Sequence, residues 1–164
     1  MREPRRIAGA RAPLLERWAS PGRAHGAEPA PLRVLDRGAL LVSIAQAIGQ
    51  LFNTRRPRDH GPDAGAPWVL NYGVPDFGGL SPASARDRDH YAAQLTTALA
   101  AFEPRLAQAR IVLQPVPGEP LRLAGQLSGE VHLGGIREPV TFPLLLQTVS
   151  GELHLGSTEP EPSA

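Results

Sequence analysis

The stretch from Leu121 to Leu155 constrains the fold more than any other part of the chain. Leu121, Leu123, Gly125, Leu127, Gly129, Val131 and Leu133 take every second position, with Arg122, Gln126, Ser128, Glu130 and His132 between them. A period of two sends one set to one face of a strand and the other set to the opposite face. Gly134-Gly135 supplies a tight turn, after which Val140, Phe142, Leu144 and Leu146 resume the alternation. Ser150-Gly151 turns the chain again before Leu153 and Leu155. Strands joined by turns this short run antiparallel, with one apolar face and one polar, solvated face. Ahead of them, Ile111-Val112-Leu113 reads as a further strand closed by a turn at Pro115-Val116-Pro117-Gly118.

The period upstream is different. Leu40, Leu41, Ile44, Ile48, Leu51 and Phe52 recur at helical spacing, with Gln46 and Gln50 on the other face. Asp36 is placed as the N-cap, and Pro57 stops the chain after Asn53. A second helix is expected from Ser81-Pro82, with Ser81 as its cap, Pro82 in the first turn and Tyr91, Leu95, Leu99 and Phe102 as its buried stripe. Pro104 disfavours a helical Glu103 and ends it. The expected fold is therefore α+β, two amphipathic helices packed on an antiparallel β-meander sheet. Between the helices, Arg55 to Pro67 reads as a loop. Trp68-Val69-Leu70 is a short apolar run, and Asn71 to Gly79 an ordered loop with aromatic anchors.

Residues 1–33 read as a Pro- and Arg-rich N-terminal arm with one possible helical grip at Leu14 to Trp18, residues 34–156 as the folded domain, and residues 157–164 as an acidic, flexible tail. The arm has no continuous apolar stretch of the kind a secretory signal needs. The most apolar segment, Ala39 to Phe52, is too short to span a bilayer and carries Ser43, Gln46 and Gln50. A soluble, cytoplasmic protein without direct membrane insertion is expected.

Composition narrows the chemistry. The 164 residues contain no Cys, which excludes disulfides, thiolate metal sites and a cysteine nucleophile. All 17 basic residues are Arg, which excludes lysine Schiff-base chemistry and any Gly-x-x-x-x-Gly-Lys phosphate loop. A net charge of +1 creates no field for nucleic acid, and the small cluster of Arg55, Arg56, Arg58 and His60 reads as a solvated loop or a protein contact. His132 and His154, placed on polar positions of neighbouring strands near Glu130 and Glu152, lack a third fixed ligand, so no metal or other cofactor is expected. Glycoside hydrolysis needs two facing carboxyls, one with a raised pKa. Asp63, Asp76 and Glu103 are the candidates, yet no spacing pairs them, and Arg105 close to Glu103 works against a general acid. Glu103-Pro104-Arg105 stands apart: proline stiffens the backbone between opposite charges where helix gives way to strand, either a corner able to address two partners or meet complementary charges on one, or a helix stop with two surface charges.

Three segments carry a resemblance. Leu41-Val42-Ser43-Ile44 leads to Leu51-Phe52-Asn53-Thr54-Arg55-Arg56, followed by Val69 to Phe77 around Asn71-Tyr72-Gly73, and then by Phe102-Glu103-Pro104-Arg105-Leu106. In this order they resemble the TssE family of type VI secretion baseplate subunits, itself similar to the lysozyme-like wedge protein of contractile-tailed phages. Leu14-Leu15-Glu16-Arg17 also looks like the family's start, and the likeness runs from about residue 14 to 155. Phe52 stands where Leu is commoner. The resemblance implies a structural, non-enzymatic subunit that joins a wedge with TssF, TssG and TssK and anchors the contractile sheath proteins TssB and TssC, in a baseplate docked at the inner membrane. Glu103, Pro104 and Arg105 are implied to bind protein partners, and Asn53, Arg55, Tyr72 and Asp76 join them from the other two segments. The family's sheet is implied to accept sheath strands. The family label's word lysozyme raises the alternative of a peptidoglycan-hydrolysing enzyme, and a small regulatory adaptor is the other. Reversing Glu103 or Arg105 is expected to abolish secretion while leaving the monomer folded.

Overall fold

In the computed structural model, residues 9–13, 34–56, 71–76, 81–133 and 135–156 are described. Among these residues eight elements follow in order: β1 (Ala10–Arg11), β2 (Val34–Leu35), α1 (Arg37–Asn53), α2 (Ala85–Phe102), β3 (Leu106–Val116), β4 (Glu119–Leu133), β5 (Ile136–Gln147) and β6 (Leu153–Leu155). Strands β3 to β6 form one antiparallel sheet in chain order, a meander, and the helices pack on its apolar face. This is the expected α+β arrangement.

α1 begins where the Asp36 side chain accepts the Ala39 N–H at 2.8 Å, satisfying one of the orphan donors of the first turn. Its stripe of Leu40, Leu41, Ile44, Ile48, Leu51 and Phe52 is buried. α2 starts later than the Ser81-Pro82 expectation. Ser84 is the cap, its hydroxyl accepting the Asp87 N–H at 3.2 Å, while the Asp87 carboxylate reaches back to the Ser81 N–H at 3.1 Å. The Ser84 hydroxyl is an N-cap, and the Asp87 carboxylate bonds upstream to Ser81, so the helix is capped three residues after the expected Ser81. Tyr91, Leu95 and Leu99 are buried, and Phe102 is half-buried.

β3 is longer than Ile111 to Leu113. It begins at Leu106, carries a bulge at Gln108, whose φ is 52°, and includes Pro115. Pro115 fits because it lies opposite Leu123, whose main chain faces β5, so the missing N–H falls on the open edge of the sheet. On the apolar face, Gly125 and Gly129 leave the room that β3 fills. A Cβ at Gly125 would meet Leu113 Cδ2 at 2.6 Å, and one at Gly129 would meet Leu106 Cδ1 at 2.7 Å.

The expected boundary at residue 33 falls inside a small clasp. Ala10 pairs with Leu35 and Arg11 with Val34, and Ala12 and Leu35 enter the core. Ala10 to Ala12 are therefore built into the domain. The Leu14–Trp18 turn, the Trp68–Leu70 run, Phe77 and the acidic tail lie outside the described residues. The two histidines do not sit on neighbouring strands. β5 separates β4 from β6, and His154 lies level with Leu145 and Ala124. His132 is displaced by the length of strand from Ala124 to His132, roughly 27 Å. Among the described residues no group of three or more His, Asp or Glu could hold a metal, and no helix is long and apolar enough to cross a membrane.

Candidate functional site

The end of α1 builds the first part of the site. Past Asn53 the chain leaves the helix, and Thr54 and Arg56 meet Val74 through two main-chain bonds, Val74 N–H to Thr54 O and Arg56 N–H to Val74 O, both 2.9 Å. The crossing is tight enough to demand Gly73: its φ is 112°, and a Cβ there would stand 2.5 Å from Thr54 O. This joint fixes Tyr72 beside the end of α2, its ring edge-on to Phe102 with centroids 5.3 Å apart. Burial, and then the negative charge of Glu103, push the Tyr72 phenol above its ordinary pKa.

Glu103 closes α2, its N–H bonded to Leu99 O at 2.8 Å. Its side chain is only 4% exposed, and both carboxylate oxygens are held by Arg105. Oε1 accepts from Nε at 2.7 Å and Oε2 from Nη2 at 2.6 Å, a bidentate fork. Nη1 of Arg105 donates to the hydroxyl of the buried Ser43 on α1 at 2.7 Å. Pro104 is exposed at the apex, so the acid and base on either side of it turn inward to each other and to α1. This differs from a corner presenting two charges to partners: the charges form an internal pair that locks α1 to the α2–β3 junction. A cavity of about 410 Å³ opens beside it, lined by Ala10, Leu40, Pro104, Arg105, Ala107 and His132.

Asn53 and Arg55 belong to the same joint, Arg55 bridging to Val74, and their side chains reach toward β6. The Asn53 amide donates to Leu153 O and accepts from Leu153 N–H, both at 2.9 Å, and also donates to Gly49 O. Arg55 donates to Phe52 O at 2.8 Å and to Gly151 O. They tie the end of α1 to β6 and to the turn before it, about a hundred residues away in sequence. Asp76 is exposed at the end of its segment, and Arg58, His60 and Asp63 lie outside the described residues. The structure thus brings Tyr72 near Glu103 and Glu103 onto Arg105, while the Asn53 and Arg55 side chains bond β6 and the turn before it. Ser43, within a quoted segment but not among the expected binding residues, completes the corner. Its signal was a hydroxyl standing in the apolar stripe of α1.

The described geometry therefore interlocks three segments far apart in the chain, one from α1, one from the Asn71–Asp76 stretch and one from the α2–β3 junction. The model of one family, baseplate wedge protein gp25, matches residues 39–134, which include all three. The chain belongs to this baseplate wedge family. No curated protein matches it. As a wedge-family member its role is a structural one in a baseplate, exercised through contacts with other baseplate components.

Proposed function

We propose that this chain is a TssE-type subunit of a type VI secretion baseplate, in the cytoplasm at the inner membrane, joining a wedge with TssF, TssG and TssK and seating the TssB–TssC sheath upon it. The observation that carries this reading is the interlocked corner of Ser43, Tyr72, Glu103 and Arg105, which holds Pro104 and the adjoining cavity as a rigid, exposed knob. The wedge contact falls there, on Pro104 and the outer face of Arg105. Residues 34–156, with the clasp of Ala10 to Ala12, act as the docking domain.

The sheath contact falls on the sheet. Its β3 edge is blunted by Pro115 and bent by the bulge at Gln108. Its β6 edge instead borders a groove of about 580 Å³ against α1, walled by Leu41, Val42, Ala45, Gly49 and Leu155. A strand added beside β6 finds main-chain partners and an apolar wall. The subunit works by binding and needs no cofactor. Glu103, the buried candidate for a hydrolase acid, has both oxygens held by a guanidinium, and a general acid needs a proton there.

The test is sheath assembly in cells lacking this chain and carrying a fluorescent sheath protein. Wild type restores sheaths. Pro104→Arg, which leaves the Glu103–Arg105 pair in place, yields folded protein without sheaths. Full sheath assembly with Pro104→Arg would remove the wedge contact from this corner.

A further inference from the structure

The open edge of β6 is not uniform, and the main-chain bonding shows where it can be used. Glu152 O and Gly156 N–H point to β5, where they bond Gln147 N–H and Pro143 O. Leu153 and Leu155, alternating with them, point away from the sheet. Leu153 is already paired: the Asn53 side chain offers it one donor and one acceptor at 2.9 Å, the pairing a neighbouring strand would offer. Leu155 has no such partner among the described residues, and its side chain reaches the wall of α1 near Gly49.

We infer that Asn53 is a register-setting residue for strand addition: its amide substitutes for a strand at Leu153 and makes Leu155 the first rung open to an incoming main chain. This deepens the strand-acceptor reading and rests on it. The incoming segment is extended, starts its pairing at Leu155, and runs along the groove where Val42 is 57% exposed. Asn53 also shields the sheet from pairing that would slip by two residues toward the Ser150–Gly151 turn, since that slip needs the Leu153 groups.

The experiment is residue-resolved amide hydrogen exchange on the full chain, free and in purified baseplate–sheath particles, for wild type, Asn53→Ala and Asn53→Asp. In free wild type Leu153 is protected although it lies on an edge, and Leu155 exchanges fast. Asn53→Ala speeds Leu153 exchange at least about tenfold, the loss of one net hydrogen bond, while the sheet-interior Leu146 amide is unchanged. Asn53→Asp, which keeps an acceptor for the Leu153 N–H, retains most of the protection. On assembly, wild type gains protection at Leu155 only, whereas Asn53→Ala gains it at both Leu153 and Leu155 because the incoming strand takes the vacated rung. Leu153 protection that persists in free Asn53→Ala overturns the role of Asn53 and leaves the strand-acceptor reading standing. Absence of any gain at Leu155 on assembly overturns the strand-acceptor reading and the register claim with it.

Discussion

Removing the guanidinium at position 105 is the sharpest perturbation of the corner. Arg105→Ala leaves the Glu103 carboxylate, 4% exposed, with none of its side-chain donors and leaves the Ser43 hydroxyl without the Arg105 contact. Taking one partner from a buried ion pair costs about 3–5 kcal/mol, because the other charge stays behind desolvated. The Arg105 side chain is itself 24% exposed, so water relieves part of that cost and the lower end, about 3 kcal/mol, applies. For a chain of this length the loss lowers Tm by roughly 6–12 °C. The assay is urea unfolding with the slope m held as a check, on Arg105→Ala, Glu103→Leu and the double variant. The double variant buries no stranded charge and should be more stable than Arg105→Ala alone. A cost below about 1 kcal/mol for Arg105→Ala, or a double variant whose cost is the sum of the singles within about 0.5 kcal/mol, would refute the pair. The same geometry changes what a charge reversal tests. Glu103→Arg sets a second guanidinium against that of Arg105 in place of the carboxylate, so it unsettles the monomer and is not the clean assembly probe the sequence suggests.

Gly129→Ala drives a methyl into Leu106 and the Ala107 carbonyl and should cost about 1–3 kcal/mol in the same unfolding assay. Burial raises the Tyr91 phenol far above its ordinary value of 10.0, only partly opposed by Arg55. The folded state then keeps a proton that the unfolded state releases, so stability is intact below pH 10.0 and falls above it by about 1.4 kcal/mol per pH unit. Tyr91→Phe should remove most of that alkaline slope in unfolding measured as a function of pH. Val42→Glu, on the groove wall, should change unfolding free energy by no more than about 0.5 kcal/mol, yet weaken retention of sheath protein in pull-downs.

Most of the architecture was legible because it rests on local periodicity. The alternation through β4 and β5 and the Asp36 cap with its apolar stripe each appear where the residues place them. The start of α2 was also written locally, in the Ser84 cap on the Asp87 N–H, but Pro82 was the louder signal. The first residues of β3 were hidden by the bulge at Gln108, which breaks the period of two. The site was legible only as three segments. That Glu103 and Arg105 would satisfy each other, or that Asn53 would bond β6, depends on contacts between distant parts of the chain that no local spacing encodes. The histidines show the same limit: polar positions on two strands say nothing of a third strand lying between them.

This wedge-family chain works as a part of a baseplate, in contact with its other components. Co-expression of the tagged full chain with TssF, TssG and TssK, followed by the mass of what elutes, tests it most directly. The expected result is a stoichiometric complex that retains the wedge subunits with wild type and loses them with Pro104→Arg. Wild type eluting folded and alone, at the 17.5 kDa of the single chain, would contradict it.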